Sequence, residues 1–337
     1  MELSGGCARL ALLTHWSATM MIRLLSAASA LALCGAASAS AETTLRVMSY
    51  NVWGGGANEA KGIEETVAAI RAAGADIVGV QETRLEPDPC TPTDCAATGP
   101  SVAPAIAAAL GWHVYDQTQQ NGALWANAIL SRFPIGPATA NDLGVPIDVN
   151  GTTVWLFNIH HDDEPYQPYQ LLGIEYGPAP FIKTEAEAIR FAQATRGAAM
   201  DLLAQDMTAA EGAAAIFVTG DFNEPSGLDW TEAAVAAGQQ PVAVNWPTTR
   251  RLTDAGFIDA YRAVHPDPVA KPAFTWTPRY DEVAADDHPD RIDFVLAQGA
   301  GLTVTDAAIV GEDGPRSDIV VMPWPSDHRA VVVEVKF

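Results

Sequence analysis

The hydrophobic positions of this chain form short apolar runs that alternate with polar and helical segments. Alternating or continuous short apolar runs are typical of strands, and apolar spacings of three and four are typical of helices. The pattern predicts strands over residues 45–51, 76–80, 112–115, 125–130, 153–159, 214–219, 292–297, 302–310 and 330–335. It predicts helices over 63–73, 181–205 and 229–237, and an irregular segment over 239–290. Because these elements interleave without a linker, residues 42–337 are predicted to form a single α/β domain.

A short polar motif stands at one end of several apolar runs. Strands that emerge from a core at one edge of a sheet would bring such motifs into one shared site. Their carboxylate, amide and imidazole groups suit a hard cation and a phosphate. The motifs are Ser49-Tyr50-Asn51, Val80-Gln81-Glu82-Thr83, Asn158-Ile159-His160, Gly220-Asp221-Phe222-Asn223, Arg291-Ile292-Asp293-Phe294 and Ser326-Asp327-His328-Arg329.

Composition and charge narrow the class of substrate. The chain has 337 residues, of which 48% are hydrophobic, and its formal net charge is −22. Such a charge repels polyanions, and binding of nucleic acid usually rests on lysine and arginine contacts to phosphates. The sequence has no basic run, with Arg250-Arg251 as its nearest approach. The charge therefore argues against a nucleic-acid substrate but leaves a nuclease open.

The N-terminal residues read as a targeting segment. A basic residue, Arg23, precedes the apolar stretch of residues 24–37, and cleavage is expected near Ala39 or Ala41. Residues 1–41 are therefore predicted to be an over-long start followed by a secretory signal peptide, which implies a secreted or periplasmic protein without a transmembrane segment after cleavage. A lipoprotein attached at Cys34 is the less favoured alternative, because the preceding Leu33 is too bulky.

Two cysteines remain after the predicted cleavage. Cys90 and Cys95 are separated by Thr-Pro-Thr-Asp in a polar loop. An even pair in an exported chain favours a disulfide, whereas free thiols and a metal site are the alternatives. Since no other cysteine or histidine lies close enough in the sequence to complete a zinc set, the disulfide is preferred.

The order of the polar motifs resembles that of the endonuclease/exonuclease/phosphatase family, which has the DNase I-like fold. A single motif would support this resemblance only weakly. Six motifs in the family's order, across residues 45–337, support it strongly. The resemblance implies a four-layer α/β/β/α sandwich of two packed, mostly antiparallel sheets with outer helices. It also implies a divalent cation, usually Mg²⁺ with Mn²⁺ or Ca²⁺ as alternatives, and hydrolysis of a phosphate ester. We expect a monomer.

The resemblance also assigns roles to the residues that match the family motifs. Glu82 would be the main metal ligand, Asn51 would support it or the phosphate, and Asp327 would lie beside the metal. The catalytic residues would be His160, Asp221, Asn223, Asp293 and His328. Asp293 would orient His328, and either Asp221 or His328 would take the proton from the attacking water. A simple Asx-turn at Asp221 is the structural alternative, and His161 replaces His160 if the register shifts by one.

The loop after His160 is expected to help select the substrate. Asp162, Asp163 and Glu164 would repel a second phosphate and could face a cationic or hydroxylated group, or another cation. Tyr166 and Tyr169 could stack on a sugar or an alkyl group, and Asn158 is placed on the same face as His160. The alternative is a solvated acidic loop whose tyrosines pack on the domain.

These predictions lead to a secreted, metal-dependent phosphodiesterase or phosphatase. The substrate would be a small or lipid-linked phosphate ester, and a choline-type head group would suit acids beside aromatic rings. An extracellular nuclease is the alternative, and a non-catalytic binding module on the same fold is a remote one. A glycosidase is weaker still, because adjacent acids on one loop are poorly placed to flank a glycosidic bond.

Overall fold

The apolar runs of the sequence form the strands of two mixed sheets in a computed structural model that describes residues 43–85, 100–276 and 286–337. All of these residues lie in one compact unit, Glu42–Phe337. The predicted start and signal peptide and the predicted Cys90–Cys95 disulfide lie outside the described residues. Within the described part of the chain, no helix combines the length and the apolar character of a membrane span.

The first sheet has the strand order β11-β10-β12-β1-β2-β4-β3, and the second has the order β5-β6-β7-β9-β8. Neighbouring strands are antiparallel except in the pairs β1–β2, β10–β11 and β6–β7. The strands are β1 Thr44–Asn51, β2 Ile77–Gln81, β3 His113–Asp116, β4 Ala128–Ser131, β5 Gly144–Val149, β6 Thr152–His160, β7 Ala215–Asp221, β8 Ile258–Asp259, β9 Asp293–Gln298, β10 Thr303–Gly311, β11 Ile319–Val320 and β12 Ala330–Lys336.

The described residues form seven helices. They are α1 Glu64–Ala73, α2 Ala103–Leu110, α3 Gln167–Leu172, α4 Glu185–Met207, α5 Glu232–Ala236, α6 Pro247–Asp254 and α7 Ala260–Val264, with short 3-10 turns at Trp53–Glu59 and Thr208–Ala210. Ile70 of α1 and Ile106 of α2 pack on the first sheet. Leu203 of α4 and Leu252 of α6 pack on the second.

Between the two sheets lies a core to which both contribute. Val47 and Val331 of the first sheet pack in the same cluster as Leu156, Phe217 and Val295 of the second. The layers therefore run helix, sheet, sheet, helix. The predicted α/β/β/α sandwich of mostly antiparallel sheets is confirmed.

Local signals explain where several helices begin and end. Helix α1 stops as predicted at Gly74, whose φ of 62° lies in the left-handed region that glycine adopts easily. Helix α4 begins four residues later than predicted, because Thr184 accepts a hydrogen bond from the backbone N–H of Glu187 and forms a capping box with that residue. Helix α5 starts at Glu232 rather than 229, because the side chain of Thr231 accepts a hydrogen bond from the backbone N–H of Ala234.

The predicted irregular segment over 239–290 was wrong in part. Helix α6, strand β8 and helix α7 lie within it. Helices α6 and α7 are only eight and five residues long, so each shows too few turns for a clear apolar period. Buried contacts such as that of Leu252 with the second sheet stabilise α6 instead.

Candidate active site

Strand pairing brings the polar motifs to one edge of the two sheets. In the first sheet, the parallel pair β1–β2 places Asn51 beside Gln81, which directly precedes Glu82. In the second sheet, His160 lies beside Asp221, and Asp221 lies beside Asp293. The site is thus a direct consequence of strand register.

The two sheets approach each other closely behind this edge. The hydroxyl of Ser49 accepts a hydrogen bond of 3.0 Å from the backbone N–H of Gly220 in the other sheet. A β-carbon on Gly79 would lie 2.1 Å from the hydroxyl oxygen of Thr219 and 2.5 Å from Oδ1 of Asn158. Glycine is therefore required at position 79, and the absent side chain lets the two sets of strand ends face each other.

Asn51 joins the carboxylates of two different sheets. Its Nδ2 donates to Oε1 of Glu82 at 2.8 Å and to Oδ2 of Asp221 at 3.1 Å. Its Oδ1 accepts from the backbone N–H of Trp53 at 3.1 Å, which fixes the orientation of the amide. Because Glu82 and Asp221 are both buried, a neutral amide alone offsets little of their negative charge.

His160 completes a group that can hold a cation. Its Nε2 lies 3.8 Å from Oε1 of Glu82 and 3.6 Å from Oδ2 of Asp221. One potential ligand atom from each of these three residues falls within 4.8 Å of the others. Two buried carboxylates with one imidazole form an oxygen-rich donor set, which fits a divalent cation such as Mg²⁺.

His328 and Asp293 form the second buried group. Nδ1 of His328 lies 2.8 Å from Oδ2 of Asp293, and Nε2 lies 3.6 Å from Oδ2 of Asp221. Burial lowers the pKa of His328, but the carboxylates of Asp293 and Asp221 outweigh burial and raise that pKa well above its usual value. The imidazole thus has one nitrogen fixed by Asp293 and the other directed at Asp221.

Hydrogen bonds from the surrounding loops hold this pair in place. The hydroxyl of Ser326 accepts from the backbone N–H of His328 at 3.0 Å and donates to the backbone carbonyl of Asn51 at 2.7 Å. The hydroxyl of Thr275 accepts from the backbone N–H of Asp293 at 3.1 Å. Ser326 therefore ties the His328 loop to β1, and Thr275 fixes the start of β9.

Asn223 is held close to Asp221 but points to a different partner. Its backbone N–H donates to Oδ1 of Asp221 at 2.9 Å, as in an Asx-turn, and its Nδ2 donates to the carbonyl of His161 at 2.9 Å. Asn223 and Glu82 have φ values of 46° and 54°, in the left-handed region. A non-glycine residue with such a backbone conformation costs about 1–3 kcal/mol of stability, and residues strained in this way cluster at functional sites.

The two adjacent histidines have different surroundings. The ring of His161 packs on Phe222 with 5.5 Å between ring centroids, and neither ring nitrogen has a hydrogen-bond partner among the described residues. Burial, and after it the positive charge of Arg196, lower the pKa of His161 to about 3. The structure thus brings His160, and not the ring of His161, into the group with Glu82 and Asp221.

Asp327 occupies a more open position than the other predicted ligands. It is half-buried, and its charge contributes to the raised pKa values of Tyr50 and His328. The ligand groups found among the described residues do not include it; they are Glu82 with His160 and Asp221, and Asp221 with Asp293 and His328.

The three residues predicted to contact substrate are buried and do not lie on an open surface. Asn158 is completely buried, and its amide donates to the carbonyl of Val80 at 2.9 Å and to that of Ala128 at 3.1 Å. Tyr166 and Tyr169 are only 2% and 5% exposed. The structure gives these three residues packing and positioning contacts, and their contact with substrate stays a prediction.

The tyrosines instead form a cluster behind a half-buried tryptophan. Tyr166 donates to Asp290 at 2.8 Å and Tyr169 donates to Asp287 at 2.6 Å. Their ring centroids lie 5.6 Å and 5.8 Å from that of Trp276, which in turn lies 6.4 Å from the ring of His328. Trp276 is therefore the aromatic side chain of this cluster that stands next to the His328–Asp293 pair.

A buried arginine anchors the acidic loop, and no sequence motif indicated it. Nε of Arg196 donates to the carbonyl of Asp162 at 3.0 Å, and Nη1 donates to Oε1 of Gln167 at 2.5 Å. Nη1 also lies 3.8 Å from Oε2 of Glu224. Arg196 lies in the middle of α4, so helical periodicity could mark its face but not its partners.

Comparison with known proteins gives a consistent result. Residues 48–328 match the Endonuclease/Exonuclease/phosphatase family, whose members are metal-dependent phosphoester hydrolases. An uncharacterized protein of Caenorhabditis elegans is 26% identical over 310 residues, which cover 87% of this chain and 91% of that protein.

Solved structures are similar in fold at low sequence identity. The 3′ phosphatase NExo from Neisseria, bound to a product DNA hairpin, is 16% identical with a TM-score of 0.50, over 86% of this chain and 98% of that one. Truncated TDP2 from Caenorhabditis elegans is 20% identical with a TM-score of 0.48, over 87% and 97%. The family match spans the motifs that build the site from Met48 to His328, and the chain belongs to the endonuclease/exonuclease/phosphatase family.

Proposed function

We propose that this protein is a secreted or periplasmic phosphodiesterase or phosphatase that acts on a small or lipid-linked phosphate ester. The observation that carries the proposal is the buried constellation at the sheet edge, where Asn51, Glu82, His160 and Asp221 meet the His328–Asp293 pair. Carboxylates and imidazoles in contact across two sheets are costly unless they serve a cation or a reaction.

The chain's own groups can activate water. Nε2 of His328 and Oδ2 of Asp221 lie 3.6 Å apart, so one water molecule can contact both atoms. Asp221 can take the proton as the water attacks phosphorus in line with the leaving oxygen, and His328 can take it only when its imidazole is neutral, because its pKa is raised. Asp293 keeps the imidazole oriented throughout, because it holds Nδ1 at 2.8 Å.

Glu82 and Asp221 would hold the cation, with Asn51 between them. The bound cation would polarise the phosphoryl group and stabilise the leaving oxygen. His160, in this proposal a donor and not a ligand of the cation, and Asn223 would donate to phosphoryl oxygens, and donors that are fixed before the reaction stabilise the charge that develops in the transition state. No residue has to form a covalent intermediate.

The charge around the site favours a substrate with a single phosphate group. The loop after His160 carries Asp162, Asp163 and Glu164, and the whole chain has a net charge of −22. A polyanion approaching this surface would be repelled. A zwitterionic or hydroxylated ester would meet less repulsion and could contact Trp276 beside His328.

A panel of esters tests the proposal. Protein that begins at residue 42 would be incubated with bis(p-nitrophenyl) phosphate, inositol monophosphate, sphingomyelin vesicles and plasmid DNA, with Mg²⁺ or with a chelator. Asp221→Asn should abolish turnover, whereas Asp201→Asn, on the exposed face of α4, should leave it unchanged. Metal-dependent release of phosphate or phosphocholine would support the proposal. Cleavage of plasmid DNA alone would make the protein a nuclease, and metal binding without any turnover would indicate a binding module.

A further inference from the structure

The pair Arg250-Arg251, the nearest approach to a basic run in the sequence, is not part of the strand-end site. It lines a cavity of about 270 Å³ between α4 and α6. The other lining residues include Gly197 and Met200 of α4 and Pro247 of α6. The volume lies just below the range of about 300–1,000 Å³ that is typical of sites for drug-sized molecules, so the cavity suits a small ligand.

Gly197 leaves the α4 side of this cavity open. It lies inside α4, which runs from Glu185 to Met207, and a β-carbon at position 197 would meet no atom of the neighbouring elements within 4 Å. Glycine in the interior of a helix is less stable than alanine, because it loses more backbone freedom on folding. Close packing does not require a glycine here. The chain therefore keeps the space in front of Gly197 at a cost in helix stability.

The guanidinium of Arg250 forms no hydrogen bond and no ion pair within the part of the chain that the structure describes. Arg250 is half-buried, and its nitrogens are not among the buried polar atoms that lack a partner, so a molecule in the cavity can reach them. Burial raises the pKa of Glu224, and the charge of Arg250 is one of several that counter this rise, but the two side chains form no ion pair. By contrast, Nη1 of Arg251 lies 2.7 Å from Oδ1 of Asp201. Arg250 is therefore available to bind a ligand.

The lining fits a ligand with a single negative charge and an apolar body. Its charged residues are the two arginines and the exposed Asp254, so the cavity carries a positive balance in a chain whose net charge is −22. The planar guanidinium of Arg250 matches the two oxygens of a carboxylate. A doubly charged phosphate would face Asp254 with only one free cation to hold it. Met200 and Pro247 are buried and give the ligand an apolar wall.

We propose that this cavity is a second ligand site, which binds a small organic carboxylate. The carboxylate pairs with the guanidinium of Arg250, and the apolar part of the ligand packs against Met200 and Pro247 in the space in front of Gly197. The assignment does not depend on the proposed function, since none of the residues that line the cavity belongs to the strand-end constellation.

Binding of benzoate and hexanoate to the full protein, measured by titration calorimetry, tests this site. A chelator is present throughout, so that no cation holds the carboxylate at the strand-end site. Wild-type protein should bind at least one of the two probes, and benzyl alcohol, which lacks the charge, should not bind. Arg250→Gln should weaken binding by roughly ten- to a hundredfold, the expected loss for a hydrogen bond to a charged group. Arg190→Gln removes the same charge from α4 outside the cavity and should bind like the wild type.

A blocking variant locates the bound molecule. Gly197→Leu places a side chain in the open space of the cavity and replaces glycine by a better helix former, so it should lose carboxylate binding without a lower Tm. Binding that survives Gly197→Leu would overturn the proposed location, and equal affinities in the wild type and Arg250→Gln would overturn the role of Arg250. Displacement of the probe by inorganic phosphate, or equal binding of benzyl alcohol, would overturn the ligand class. No binding of either carboxylate would overturn the site.

Discussion

Nδ1 of His328 lies 2.8 Å from Oδ2 of Asp293, and both side chains are buried. This contact leaves Nε2 of His328 facing Oδ2 of Asp221 at 3.6 Å. Asp293 therefore orients the imidazole, and Asp221 lies beside the ring nitrogen that remains open. The hydroxyl of Thr275 fixes the backbone at Asp293, and that of Ser326 fixes the backbone at His328. The pair is positioned before a substrate binds.

Asp293→Asn should lower kcat by roughly 100- to 10,000-fold, since loss of a positioned acid–base group has effects of that size. KM should change little, because Asp293 contacts His328 rather than substrate. Steady-state kinetics with bis(p-nitrophenyl) phosphate would measure both constants. Asp306→Asn, at an exposed position of β10, is the matched control. An unchanged kcat in Asp293→Asn would show that catalysis does not need Asp293 to orient His328.

Glu82→Gln should weaken Mg²⁺ binding by at least about tenfold, since even groups that only support metal ligands cost this much. The amide keeps the size of the side chain but removes its negative charge. Calorimetric titration with Mg²⁺ gives the affinity without any need for substrate. Glu211→Gln lies before the opposite end of β7 and should bind Mg²⁺ like the wild type. Equal affinities in the two variants would place the cation elsewhere.

His160→Ala should reduce kcat by roughly 100- to 1,000-fold, the usual effect of removing one fixed donor to a developing charge. His161→Phe should retain activity of the same order as the wild type. The ring of His161 contacts Phe222 and its nitrogens have no partner among the described residues, so phenylalanine loses no hydrogen bond. Comparing both variants on one substrate decides the register, and the reverse order of effects would contradict the site described.

Asp290→Asn should change how stability depends on pH. Burial raises the pKa of Asp290 from 3.8 to about 8, although Trp230 and Tyr166 donate hydrogen bonds to it. Because the folded protein binds this proton more tightly, the stabilisation is complete below pH 3.8 and is lost as the pH rises through about 8. Relative to the wild type, Asp290→Asn should gain up to roughly 1.4 kcal/mol of unfolding free energy for each pH unit in that window.

Urea unfolding at several pH values between 4 and 8 measures this difference. Other titrating groups, including His161 with its lowered pKa, are common to both proteins and cancel when the two are compared. Parallel pH profiles for the wild type and Asp290→Asn would show that Asp290 is ionised in the folded state throughout.

The sheets and the chemistry at their edge were predictable from the sequence, because both depend on short-range patterns. Apolar runs predicted strands such as 153–159, which the structure extends to Thr152–His160. A residue that ends a buried strand must emerge at the sheet edge, so Glu82 and His160 could be placed together without knowing their distance. The motif order also indicated the family, which the match over residues 48–328 confirms.

Other features depend on contacts that are distant in the sequence. The sequence predicts Asn158 as a substrate contact on the same face as His160, but the sheet packing at Gly79 buries it completely. The sequence leaves open whether Tyr166 and Tyr169 stack on substrate or pack on the domain. Asp290 and Asp287, more than a hundred residues later, accept hydrogen bonds from their hydroxyls and bury them. The periodicity of hydrophobic residues is a local pattern, so it could not reveal these distant partners.

Hydrolysis of bis(p-nitrophenyl) phosphate and p-nitrophenyl phosphate, side by side, would show whether the strand-end site catalyses a metal-dependent reaction. The protein would be assayed with Mg²⁺, with a chelator and as His328→Ala. We expect metal-dependent release of p-nitrophenol from at least one ester, and loss of that release with chelator and in the variant. Turnover that persists in the chelator or in His328→Ala, at wild-type rates, would contradict a metal-dependent reaction at this site.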